Sequence, residues 1–202
     1  MTLAKKITAL YRNPRYTSLI DVGLFILLIL AFHFIYLGWQ AIGYWPFQRT
    51  INALMQWASD LLYRQSCWCL EHVVGIDITT KSSEGMIFAL DRNGSWVHVG
   101  VIAECASLKQ WLHWLFLMLL FPGPWKHKAW YIPVGLVIIE WTNVVRVCGI
   151  FTALVHWPNS FHITHDYVFK AFFYFMIFLM WVLWVEVFVH PKRKKTNKNE
   201  QA

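Results

Sequence analysis

The stretch LIDVGLFILLILAFHFIYLGW, residues 19–39, decides the class of this chain. Asp21 is its one acidic residue, and the rest is apolar enough to cross a bilayer, which takes about 20 such residues in a helix. Lys5, Lys6, Arg12 and Arg15 precede it, as they would in a secretory signal. The following Leu37-Gly38-Trp39-Gln40 lacks the small-x-small pattern of a cleavage site. The stretch reads as a retained anchor whose basic flank, 1–18, stays in the cytoplasm.

Working outward, the composition agrees. The chain has 202 residues, 57% hydrophobic and 14% charged, with 13 Trp. That suits one compact membrane unit better than a pair of soluble domains. The net charge of +7 gathers beside the ends of apolar runs, where it sets orientation; no nucleic-acid partner is expected. Further apolar segments run over 102–121, 130–155 and 167–189, and a basic tail over 190–202 opens with Lys192-Arg193-Lys194-Lys195. The 122–128 loop carries two lysines, whereas 156–166 has no Lys or Arg. One topology satisfies these short loops. Both termini and 122–128 lie inside, while 40–101 and 156–166 lie outside. The expected fold class is therefore a mainly α membrane protein with about four transmembrane helices in the cytoplasmic membrane.

The long external segment divides in two. Over 48–74, apolar Ile51, Leu54, Met55, Ala58, Leu61 and Leu62 recur at helical spacing, opposite Asn52, Gln56, Asp60 and Arg64. This is an amphipathic helix lying on the membrane surface or against the spans. Over 76–99, alternation at Ile76, Ile78 and Thr80 and the turn Asp91-Arg92-Asn93-Gly94-Ser95 predict a small extracytoplasmic β-hairpin or three-stranded element.

The topology brings Cys105, Arg146 and His165 toward one leaflet from three different helices. An arginine inside a span costs at least about 2.5 kcal/mol near the bilayer centre, so Arg146 needs a polar cavity, a partner or a task. Asn143 shares its helix face. The bland alternative is an ion pair of Arg146 with Glu140 or Glu104. Cys105 has Glu104 before it and Ser107 and Lys109 after it. A nearby cation favours the nucleophilic thiolate. A histidine such as His165 titrates close to neutrality and can carry protons. Cys67, Cys69 and Cys148 read as packing residues. Four cysteines without a CxxC pair suggest neither a disulfide scaffold nor zinc. His162-x-x-His165, with His156 or Asp166 nearby, lacks an HExxH-like companion, so no metal and no cofactor are expected.

Glu104-Cys105-Ala106-Ser107-Leu108, Asn143-Val144-Val145-Arg146 and His165-Asp166 together resemble the three motif blocks of the exosortase/archaeosortase family. Those are polytopic membrane proteins taken to be sortase-like cysteine transpeptidases. The resemblance covers about 102–189, in order, and this chain would be a short form. It departs from the family in having Ala106-Ser107 where Ser-Gly is common, and in lacking a glycine after the histidine block.

The resemblance implies a processing enzyme in contact with membrane lipids. Its substrate proteins would carry a C-terminal motif, a transmembrane helix and a basic tail. Cys105 would form a thioester, His165 would serve as acid and base, and Arg146 would hold the oxyanion. Asn143 and Glu104 would support them. A lipid or glycan precursor would accept the acyl group, or water in a protease. The competing readings are a non-enzymatic scaffold or chaperone of an export system and, with no internal repeat to support it, a small transporter.

Overall fold

The computed structural model describes residues 14–91, 93–157 and 164–190. Among them are five α-helices: α1 (Pro14–Ala41), α2 (Gln48–Cys69), α3 (Leu108–Leu120), α4 (Trp125–His156) and α5 (Phe169–Trp184). A sheet of β1 (Thr79–Lys81), β2 (Met86–Leu90) and β3 (Trp96–Gly100) stands between α2 and α3. One π-helical turn, Thr164–Val168, leads into α5, and another, Val185–Val189, extends it. The molecule is mostly helical. Three of its helices, over Ser18–Ala41, Trp125–His156 and Ala171–Val189, are long and apolar enough to cross a membrane.

The second expected span differs. Residues 102–107 do not join the helix. Ala103–Cys105 forms a single 3-10 turn, Ala106 is extended, and α3 begins only at Leu108. Its 13 residues rise about 20 Å, short of the roughly 30 Å of a hydrocarbon core. The physical reason is local. The Cys105 carbonyl, which a continued helix would pair with the Lys109 N–H, is taken by side chains of α4, and Asn143 also holds the Ser107 hydroxyl.

The expected 122–128 loop is also shorter, because α4 starts at Trp125 and absorbs Lys126, His127 and Lys128. Lys128 is 3% exposed and donates from Nζ to the carbonyls of Phe121 (2.7 Å) and Leu119 (3.4 Å). A cation thus satisfies the orphan carbonyls at the end of α3, where the helix dipole welcomes it.

Two cores result. The first is aromatic and belongs to helices alone: Phe25, Trp114, Phe121, Phe173, Trp181 and Trp184 surround Leu117, Met118, Ile139 and Ile177. Trp114 is fully buried, and its Nε1 donates to the Ile132 carbonyl at 3.2 Å. Gly135 lets the indole lie against α4, since a Cβ there would meet Trp114 Nε1 at 2.2 Å. Outside this core α1 turns Leu19, Ile26, Leu27, Phe34 and Ile35 outward, an apolar surface suited to lipid.

The second core is mixed. Leu62 and Leu70 of the α2 segment, Ile87 and Ala89 of β2, Val101, and Val144, Val147, Cys148 and Phe151 of α4 pack together. The sheet is antiparallel in the order β1-β2-β3, with Ile87 opposite Val99 and Ala89 opposite Val97. The alternate positions Ile87 and Ala89 therefore point into the core, as a period of two requires. Asp91 holds the hairpin turn by accepting, on Oδ1, the backbone N–H of Asn93 (2.8 Å) and Ser95 (2.7 Å). Gly85 (φ +63) brings β2 to Val101, whose carbonyl oxygen would stand 2.6 Å from any Cβ added there. With 32 residues, about 48 Å of helix, α4 reaches through both cores.

Candidate functional site

The seam between the two cores lies on α4 between Ile139 of the aromatic core and Val144 of the mixed one. Glu140, Asn143 and Arg146 follow at steps of three along that helix, which keeps neighbours on one face. Across from them runs the bent segment before α3.

Asn143 is 2% exposed, and its Nδ2 donates to the Cys105 carbonyl (2.9 Å) and to Ser107 Oγ (2.7 Å). Arg146 Nη2 donates to the same Cys105 carbonyl at 3.3 Å. The guanidinium also lies close enough to the Cys105 thiol to interact with it electrostatically. Cys105 Sγ is half-buried and lies 3.9 Å from the Gly100 carbonyl at the end of β3. The expected thiol, amide and guanidinium therefore meet, over 38 to 41 residues of sequence separation.

The carboxylates behave otherwise. Glu104 is exposed and makes no ion pair with Arg146. Glu140 is 7% exposed, with both carboxyl oxygens lacking a hydrogen bond of good geometry, and it faces Ser107. Among the described residues no carboxylate pairs with Arg146, so the ion-pair alternative finds no support there. Arg146 Nε is buried without a partner. Such a guanidinium retains donor capacity for an incoming acceptor.

The backbone of His165 belongs to the π-helical turn Thr164–Val168. Its side chain, that of Asp166, and His162 lie outside the described residues. The turn leads to Phe169, whose ring edge lies against α4 at Gly149; a Cβ on that glycine would meet Cζ at 2.2 Å. Gly149 is three residues beyond Arg146, so the start of α5 is docked one turn along α4 from the guanidinium.

A cleft of about 190 Å³ opens beside Arg146, lined also by Lys109, Gln110, Phe169, Phe173 and Tyr174. Lys109 Nζ sits 5.1 Å from the centre of the Tyr36 ring. Gln110 and the aromatic wall from α5 escape a sequence reading. Gln110 is three residues after Ser107, and that spacing was the available signal. Among the described residues no group of three or more His, Cys, Asp or Glu could hold a metal ion.

The chain matches no family model, no curated protein and no solved structure.

Proposed function

We propose that this chain is a membrane-embedded cysteine acyl-transfer enzyme of the exosortase kind, acting on exported proteins at the outer face of the cytoplasmic membrane. The observation that supports the reading is the double grip of Asn143 and Arg146 on the backbone of Cys105. Arg146, costly in an apolar helix, thereby has an occupation at the Cys105 segment, and among the described residues no carboxylate pairs with it.

The reading uses four membrane crossings, with α3 as the short one. In that arrangement α3 is shielded from lipid by α1 and α4, and its Cys105 end is recessed below the outer surface. Both termini are then cytoplasmic. The sheet and α2 stand outside and receive the substrate's motif as its transmembrane helix docks from the lipid.

Chemically, His165 takes the proton of Cys105, and the sulfur attacks the scissile carbonyl. The oxyanion that forms meets the guanidinium of Arg146, a preorganised donor in a dry site. Collapse breaks the C–N bond, His165 returns its proton to the leaving amine, and a thioester remains on Cys105. A lipid or glycan nucleophile, deprotonated by the same imidazole, displaces the thiol. With water as the acceptor the outcome is hydrolysis.

A second reading draws on the same hydrogen bonds. Asn143 and Arg146 stitch two segments together whether or not the thiol reacts, as they would in a non-enzymatic scaffold or chaperone of an export system. One experiment separates the two. In cells expressing the wild-type chain or Cys105→Ala at equal abundance, the C-termini of exported proteins are mapped by mass spectrometry. Acyl transfer predicts that proteins with a helix-plus-basic tail lose it only with the wild type, the new end carrying either an added acceptor mass or a free carboxylate. Identical C-termini in the two strains would leave the scaffold.

A further inference from the structure

Three of the four cysteines stand apart from Arg146 and the 105 segment, in the contact between α2 and α4. Cys148 is 5% exposed, and its Sγ donates to the Ser66 carbonyl at 3.7 Å, so the two helices touch there. Cys69 lies one turn beyond Ser66 on the same face of α2. Its thiol packs against the same core as the Cys148 thiol and is close enough to interact with it electrostatically. Cys67 is a separate, half-buried thiol, and burial pushes it up from the ordinary range.

We propose that Cys69 and Cys148 are a dithiol–disulfide couple that staples α2 to α4. Cys69 is half-buried and within reach of an incoming disulfide, while Cys148 waits behind it in the mixed core. The Cys69 thiolate attacks one sulfur of a small-molecule or oxidoreductase disulfide, expelling the other sulfur as a thiol and forming a mixed disulfide. Cys148, having lost its proton, attacks the Cys69 sulfur and expels the second thiol. In total two protons and two electrons leave the chain, one S–S bond forms within it, and the incoming disulfide becomes two thiols.

The closed loop, from 69 to 148, contains the sheet, Cys105 and α3. The staple lands two residues past Arg146, so oxidation holds the sheet and α2 against the part of α4 that carries Asn143 and Arg146. Cys105 takes no part, because its thiol faces the Gly100 carbonyl and Arg146 instead. None of this depends on whether the chain transfers acyl groups.

The test uses the purified full chain in detergent, equilibrated over a range of glutathione disulfide to glutathione ratios. Each sample is quenched in acid, denatured, alkylated and weighed. The couple predicts a joint loss of two alkylation sites per chain, a cross-linked peptide joining Cys69 to Cys148, and a higher Tm in the oxidised form. Cys67→Ser leaves that loss intact and Cys69→Ser abolishes it. Four alkylated thiols at the most oxidising ratio would overturn the proposal, as would a Cys67–Cys148 peptide or single glutathione adducts without the cross-link.

Discussion

The two cores meet on α4 and are built on different rules. The aromatic core is helix against helix, with large rings seated over glycine, and its outward face is apolar. The mixed core uses mostly aliphatic side chains, a sheet, and all four cysteines in or against it. Rings of fixed shape leave little room for adjustment, whereas a mostly aliphatic core beside a sheet can relax. The candidate site sits at neither centre. It sits where the rules change, because there α4 must place Glu140, Asn143 and Arg146 between two apolar packings.

The rigidity of the aromatic core is most exposed by adding one methyl group inside it and one outside it. Gly135→Ala pushes a Cβ into the Trp114 indole, which is fully buried and tied to the Ile132 carbonyl. The expected loss is about 1–3 kcal/mol of stability, read as a fall in Tm and in folded yield. Gly149→Ala meets only the far edge of the partly buried Phe169 ring, which can swing away. The expected cost there is under about 1 kcal/mol. Equal costs at the two glycines would erase the distinction.

At the seam, Arg146→Gln keeps a polar side chain but removes the charge. On the proposed function, processing falls about 10²- to 10³-fold at comparable abundance, as for other oxyanion donors. Turnover assays on matched membrane preparations check this. A drop in abundance with unchanged specific activity would make Arg146 a structural residue.

Asn143→Ala leaves Ser107 and the Cys105 carbonyl short of a donor, for a stability loss of about 1–3 kcal/mol. The accompanying sign is local: protease or hydrogen exchange at 103–107 increases more than at α3. Smaller still is the far end of the aromatic core. There His190 Nε2 bonds the buried Asp21 carboxylate at 2.7 Å, joining α5's extension to α1. His190→Ala is expected to cost about 1 kcal/mol, measured as a shift in Tm, with processing unaffected.

Much of the fold was legible. Long apolar runs give α1, α4 and α5, because a helix that crosses a bilayer needs about 20 mostly apolar residues, a longer run than most soluble helices carry. The three strands show in the alternation at 76–99 and in the Asp91 turn, since both depend on local chemistry. The start of α3 was not legible. Hydropathy continues from 102 into 121, and what stops the helix at Ser107 is a pair of side chains some 40 residues away on α4. Lys128 misled for a related reason. A lysine after Pro-Gly-Pro reads as a solvated loop charge, and nothing local announces the carbonyls it caps.

In the site, Asn143 and Arg146 were recoverable because polar residues within an apolar helix stand out. Their contact with Cys105 followed from topology. Gln110 and the Phe169–Tyr174 wall were hidden among ordinary helical residues.

The account turns on Cys105 being a reactive thiol on the outer side. An electrophilic, membrane-impermeant thiol reagent applied to intact cells, followed by peptide mapping, measures both properties at once. The account predicts that Cys105 is labelled first and well ahead of Cys67, Cys69 and Cys148, and that Arg146→Gln slows its labelling. Labelling that begins only after permeabilisation, or that favours another cysteine, would contradict it.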